Sequence, residues 1–215
     1  MAAVFVDVDG TLIRGSSEKS FLFHLVSRGE LGAGRLAGFI AGYAAHPAAT
    51  LVHGPGWNRG YLRGMDERAV RTLADDFSRS ALIPRMRPGV VSELTALREG
   101  GARLVLLSAS LEWLVGPLGE SVRASCIFGS KPGAEGGMLT GSLDGPRPFG
   151  EEKLRIVEAY CRENGVPPGD CVTYGDSWGD RHVMGFCGRA VAVRPGRRLA
   201  RLARERGWRI LETSE

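Results

Sequence analysis

Two pairs of carboxylates, each following a short apolar run, carry the clearest chemical signal. Asp7 and Asp9 flank Val8 in Asp7-Val8-Asp9-Gly10-Thr11-Leu12, directly after Val4-Phe5-Val6. At i and i+2 of an extended chain, both side chains leave on the same side. Like charges placed that way repel unless a cation or a proton is shared. The second pair, Asp176 and Asp180, lies in Tyr174-Gly175-Asp176-Ser177-Trp178-Gly179-Asp180. Mg²⁺ is a hard ion that takes oxygen ligands and keeps waters or phosphate oxygens beside them. One ion near Asp7 and Asp176 would therefore offset the crowded charge. Two more residues suit an anion. Ser108 follows the apolar run 103–107, where a hydroxyl and neighbouring backbone N–H groups at a strand-to-helix turn make a phosphate seat. Lys153, after Gly150-Glu151-Glu152, offers a point charge for a phosphate oxygen. Taken singly, each has an ordinary alternative: an acidic turn, a Ser helix cap, a surface lysine.

The elements that must position these residues alternate. Strands are expected at Val4 to Val6, Arg103 to Leu107, Ala124 to Phe128, Cys171 to Tyr174 and Ala190 to Val193, each a short run ended by Gly, Ser or Pro. Helices are expected at Val90 to Glu99 and Glu151 to Asn164, stopped by Gly100-Gly101 and Gly165. Strand–helix alternation predicts an α/β fold with a parallel sheet covered on both faces. Sites in such sheets lie at the carboxyl ends of the strands, where the polar clusters would meet. The stretch from Gly15 to Pro84 is far longer than one crossover. Helical patterns at Ser20 to Val26, Leu31 to Ala45 and Asp66 to Ser80 predict an inserted helical unit. Gly136 to Leu143 reads as a short β-hairpin.

In order and spacing, DxDGT, Ser108, Lys153 and GDSxxD resemble the haloacid dehalogenase superfamily, closest to its phosphoserine-phosphatase-like branch, subfamily IB. The resemblance covers nearly the whole chain. It implies a Rossmann-like parallel sheet at 1–14 and 85–215, with a helical cap of the C1 type at 15–84. It implies a Mg²⁺-dependent phosphatase acting on a small phosphomonoester, such as a phosphoamino acid, an amino-alcohol phosphate or a polyol phosphate. On that resemblance Asp7 is the nucleophile and forms an aspartyl-phosphate, and Asp9 is the general acid and base. Ser108 and Lys153, with Gly10 and Ala109, hold the phosphate. Asp7, the Asp9 main-chain carbonyl and Asp176 bind the metal, with Asp180 as a ligand or support. Two departures bear on the substrate. The second motif reads Ser108-Ala109-Ser110 where that branch has Ser-Gly-Gly. The last reads Gly179-Asp180-Arg181-His182 where Asn-Asp and apolar residues are usual. The alternatives are phosphotransfer to another acceptor and, further off, a phospho-accepting signalling domain.

Within the expected cap, Glu18, Arg59 and Arg63 are candidate substrate contacts, the two arginines at helix spacing. Phe21 and Phe23 are expected to pack the cap. Composition frames these readings. The chain has 215 residues, 43% hydrophobic and 24% charged, with net charge +4; it is long enough for a core without disulfides. Its four cysteines form no CxxC pair, so reduced, mostly buried thiols are expected. The arginines from Arg194 to Arg206 lack interleaved aromatics, which favours a solvated helix face over nucleic-acid binding. No leader or membrane span is evident. A cytoplasmic monomer or homodimer, with a small phosphate ester as partner and neither nucleic acid nor membrane, is the expectation.

Overall fold

A computed structural model describes residues 2–45 and 58–212. Residues 46–57 of the expected cap lie outside the described residues, as do Met1 and 213–215. Six parallel strands form the main sheet in the order β3-β2-β1-β6-β7-β8. They are β1 (Ala3–Asp7), β2 (Arg103–Leu111), β3 (Cys126–Ser130), β6 (Cys171–Gly175), β7 (Arg189–Val193) and β8 (Arg209–Leu211). A separate antiparallel pair, β4 (Pro132–Glu135) and β5 (Met138–Leu143), forms a hairpin that begins before the stretch expected as one: Gly136 to Leu143 holds only its turn and second strand.

Chain order reverses between β1 and β6. Crossovers run from β1 outward to β2 and β3, then from β6 outward the other way. That reversal opens a crevice at the carboxyl ends of β1 and β6, the usual ligand position in open α/β sheets. The two acidic motifs follow those two strands.

Period-two alternation explains the double cover. Val4 and Val6 of β1 join one apolar cluster with Leu104, Leu106 and Leu94, while Ala3 and Phe5 join another with Val105, Val157 and Tyr160. Every one is buried, as a parallel sheet with helices on both faces requires. Between β1 and β2 run α1 (Ser17–Ser27), α2 (Ala33–Ala45) and α3 (Glu67–Phe77), then the crossover helix α4 (Pro88–Glu99). Phe21, Leu25, Val70 and Phe77 of the inserted helices extend the first cluster. Phe21 packs as expected, but Phe23, two positions from each of the buried Phe21 and Leu25, falls on the opposite face of α1 and is exposed.

The remaining helices are α5 (Glu112–Val122), α6 (Glu151–Asn164), α7 (Arg181–Phe186) and α8 (Arg197–Arg206). The arginine run forms α8, with Arg197, Arg201 and Arg204 exposed. Cys161, Cys171 and Cys187 are buried and all four cysteines are free. Among the described residues no helix is long and apolar enough to cross a membrane.

One polar tie pins α4 to the far end of the sheet. Glu93 accepts from the Tyr174 hydroxyl at 2.8 Å and from the Arg209 guanidinium. The Arg209 hydrogen bond, against an opposing burial effect, holds the Glu93 carboxyl below its usual range. A depressed carboxyl stabilises the fold above its unfolded pKa and loses that contribution as pH falls through its folded value. Glu93→Gln is therefore expected to cost about 0.5–1 kcal/mol near pH 7, allowing for the solvent-facing arginine. Urea midpoints for the two proteins should converge as pH drops below about 4; a gap that ignores pH would mean charge has no part in it.

Candidate active site

Asp7 ends β1 at the crevice, its side chain 11% exposed. Its Oδ1 accepts from the Lys153 ammonium at 2.5 Å, which also donates to Asp180 Oδ1 at 2.7 Å. Lys153 lies in the first turn of α6, just after Gly150 with φ +59°, and faces inward, 4% exposed. Asp180 is fixed from its other side: Ser177 gives its N–H and its hydroxyl to Oδ2, at 3.1 and 2.7 Å. Asp176 follows β6 and accepts from the Thr11 hydroxyl at 3.4 Å. Carboxylate oxygens of Asp7, Asp176 and Asp180 all lie within 4.8 Å of one another.

Two glycines permit this crowding. Gly10 has φ +84°, and a Cβ there would come 2.1 Å from Asp176 Oδ2. At Gly175 a Cβ would fall 2.6 Å from Asp180 Cβ. The motif glycines thus make room for the carboxylates.

Asp9 takes another direction. It accepts from the Ser17 N–H at 3.0 Å, the Ser16 hydroxyl at 3.2 Å and the Ser110 hydroxyl at 2.9 Å. It therefore faces a cleft of about 500 Å³ between the sheet end and the inserted helices, lined also by Glu18, Lys19, Arg59, Tyr61 and Arg147. Ser108 is buried, its Oγ accepting from the Ser110 N–H at 3.1 Å. The expected turn at Ser108 is instead the last part of β2, which runs on to Leu111 with a register shift between Leu107 and Leu111. The Ala109 carbonyl accepts from Arg59 at 3.1 Å and from Ser130 at 2.7 Å. The Gly10 carbonyl accepts from Arg87 at 3.2 Å.

The cap candidates separate. Glu18 and Arg59 form a buried ion pair at 2.5 Å, and Tyr61 donates to Glu18 at 2.9 Å. Arg59, 2% exposed, is no surface arginine. Arg63 lies outside the cleft, exposed, donating to the Thr140 carbonyl of the hairpin at 3.1 Å. The two do not share a helix face, because Gly60–Leu62 forms a single 3₁₀ turn between them. Ser110 and Arg147 went unread in the sequence. Ser110 was legible, since it sits two positions from Ser108 on the same strand face; Arg147, in a Gly/Pro segment, offered no signal.

The family profile described as haloacid dehalogenase-like hydrolase matches residues 4–185, which include all four motifs. The chain belongs to that family. Among known proteins, the phosphoserine phosphatase SerB1 of Mycobacterium tuberculosis is 27% identical over 216 residues, covering 97% of this chain and 70% of that protein. A protein of unknown function from Bordetella pertussis Tohama I superposes with a TM-score of 0.81 at 21% identity, over 98% of this chain and 97% of that one. A phosphoserine phosphatase structure described as a phospho-aspartyl intermediate analogue gives a TM-score of 0.66 at 15% identity, over 97% and 91%. The chain is a hydrolase of this family, with the family's α/β fold and a helical insertion.

The electrostatics of this haloacid dehalogenase-like site set the carboxylates apart. Burial pushes Asp7 well up, the Lys153 ammonium opposes that, and Asp180 and Asp176 add to it. Burial and Asp180 together push Asp176 up to about 6. Asp180 is buried too, but Lys153 and Ser177 outweigh burial and hold it low. Burial would depress Lys153; Asp180 and Asp7 more than offset it and keep the ammonium charged. Three carboxylates thus share one cation. Asp7 Oδ2 is buried without a hydrogen-bond partner. A buried, unpartnered carboxylate oxygen is costly. All-oxygen donors with a deficit of positive charge suit a hard divalent ion, so Asp7, Asp176 and Asp180 could hold one.

Proposed function

We propose that the chain is a Mg²⁺-dependent phosphatase that hydrolyses a small phosphomonoester through an aspartyl-phosphate on Asp7. The observation that carries this reading is the buried Asp7 carboxylate at the sheet's switch point, one oxygen on Lys153 and the other without a partner. Asp7, Asp176 and the Asp9 main-chain carbonyl would hold Mg²⁺, with Asp180 beside them. Bound there, the ion would neutralise charge where a phosphate meets these carboxylates.

The protein's own groups divide the remaining work. An Asp7 oxygen attacks phosphorus and the ester P–O bond breaks. Asp9, aimed into the cleft by Ser16, Ser17 and Ser110, gives its proton to the departing alkoxide. Water then attacks the aspartyl-phosphate, passes a proton to Asp9 and releases inorganic phosphate with free Asp7. Lys153 has three N–H donors and uses two on Asp7 and Asp180. Its third serves a phosphate oxygen, as do Ser108 and the backbone at Gly10 and Ala109. The inserted helices, within 15–84, act as a cap that excludes water. Glu18 and Arg59 line the leaving-group side; Arg63, bonded instead to the Thr140 carbonyl of the hairpin, lies outside this cleft.

Phosphate release from p-nitrophenyl phosphate should stop on rigorous chelation and return with Mg²⁺. Full activity after chelation would remove the metal from the mechanism. The named phosphoserine phosphatases among the relatives support the reaction class, and the altered motifs at Ser108-Ala109-Ser110 and after Asp180 leave phosphoserine as one ester among several.

A further inference from the structure

We infer that the cleft beside Asp9 selects phosphomonoesters whose alcohol carries a second anionic group, and that Arg147 is the cation that sets this preference. The inference rests on the phosphatase reading and concerns the part of the substrate that leaves with the alkoxide.

Charge in the cleft is the first ground. Among the described residues its lining carries three cations, Lys19, Arg59 and Arg147, against two acids, Asp9 and Glu18. Both acids are already committed. Asp9 is held by three donors in position for proton transfer. Glu18 is tied by Arg59 and Tyr61. Burial raises the Glu18 carboxyl while Arg59 and, more weakly, Arg147 pull it back, so the Arg147 charge acts within the cleft. A tail bearing an ammonium meets net positive charge there. A neutral tail gains nothing from it. A carboxylate or second phosphate is attracted, most strongly with water excluded.

The second ground is the way Arg147 is mounted. It comes from the core rather than the inserted helices, on the segment between β5 and α6, with Pro146 before it and buried Pro148 after it. The Phe149 N–H donates to the Arg147 carbonyl at 2.8 Å, closing a tight turn. The Arg147 guanidinium sits 4.7 Å from the Phe149 ring centroid, a cation–π contact. That ring rests against Gly179, where a Cβ would lie 3.3 Å from Phe149 Cε2. The cation is thus braced on the loop carrying Asp176 and Asp180, and its segment leads straight into Lys153. A preorganised charge loses little freedom on binding, which makes it effective in discrimination.

Steady-state kinetics of the full chain with Mg²⁺ on four esters test this. They are phosphoglycerate (carboxylate tail), glycerol phosphate (neutral), phosphoethanolamine (ammonium) and p-nitrophenyl phosphate. Phosphoglycerate is expected to exceed glycerol phosphate in kcat/KM by about tenfold or more. Arg147→Ala should shrink that ratio about tenfold, chiefly through KM. Arg147→Lys should restore part of it, and Arg147→Glu should shift preference toward phosphoethanolamine. Each ratio is internal to one protein, so a change in folded fraction cancels. Equal kcat/KM for the carboxylate and neutral esters overturns the inference, as does an Arg147→Ala loss that is uniform across esters. Hydrolysis of p-nitrophenyl phosphate without charge preference overturns this inference alone; no hydrolysis of any ester overturns the phosphatase reading, and this one with it.

Discussion

Asp7→Asn is expected to abolish turnover, lowering kcat by about 10⁴-fold or more, while the protein stays folded. The amide matches the carboxylate in size but cannot form the acyl-phosphate bond. The fold survives for an electrostatic reason. Burial and two neighbouring acids already push Asp7 toward its neutral form, so a neutral side chain relieves repulsion as it gives up a charged hydrogen bond. Lys153 keeps Asp180. The expected change in stability is therefore small, within about 1 kcal/mol. Thermal melts and single-turnover phosphate release measure the two effects separately. Wild-type protein should also acquire phosphate on Asp7 when trapped during turnover, and the variant should not. Substantial activity in well-folded Asp7→Asn would exclude covalent catalysis by this residue.

The sheet was legible because its central strands β1, β2, β6 and β7 are buried on both faces and read as plain apolar runs. Observed bounds lie within a few residues of the expected ones: Ala3–Asp7 against Val4 to Val6, and Cys171–Gly175 against Cys171 to Tyr174. The greatest difference is β2. Ser108-Ala109-Ser110 reads as a turn by composition, yet it continues the strand to Leu111 and puts the Ser110 hydroxyl on Asp9, while Ser108 Oγ accepts from the Ser110 N–H. Tertiary hydrogen bonding there overrides local propensity. Strand β8 escaped notice because three residues after an arginine-rich helix carry no periodic signal. The four motif carboxylates were legible as types at fixed spacing, but not their grouping: Asp9 turns away from Asp7 onto Ser16, Ser17 and Ser110, because the chain leaves the extended form after Asp7, and the crowding is among Asp7, Asp176 and Asp180.

The cleft was far less legible, because its walls come from segments remote in sequence. Glu18 and Tyr61 meet across 43 positions, and Arg59 reaches the Ala109 carbonyl across 50. Only a folded chain reveals such pairings. The helix-spacing argument for Arg59 and Arg63 failed because the polypeptide between them makes one 3₁₀ turn. In this protein the motif carboxylates follow a local pattern fixed by two strand ends. The groups lining the cleft beside Asp9 depend on how the insertion and the β5–α6 segment pack, so the motifs are readable earlier than the cleft.

Lys153→Met should have the second largest effect, and on two measurements at once. Lys153 is 4% exposed and is the ammonium bonded to both Asp7 and Asp180. Methionine keeps the length and removes the charge, leaving two buried carboxylates without their shared cation. Breaking a buried pair this way costs about 3–5 kcal/mol, so metal-free protein at neutral pH should lose stability on that order. A divalent ion should recover part of the loss by supplying the missing positive charge. Catalysis should not recover with it. In the proposed reaction the lost donor acts on charge in the transferring phosphoryl group, and removing such a donor lowers kcat by about 10²–10³-fold. Denaturation with and without Mg²⁺, beside kcat at saturating Mg²⁺, separates the two roles. Stability restored with the rate still low would assign Lys153 both jobs. A restored rate would reduce it to a counter-ion for Asp7 and Asp180, and unchanged metal-free stability would show that the three carboxylates share their protons differently from the arrangement described above.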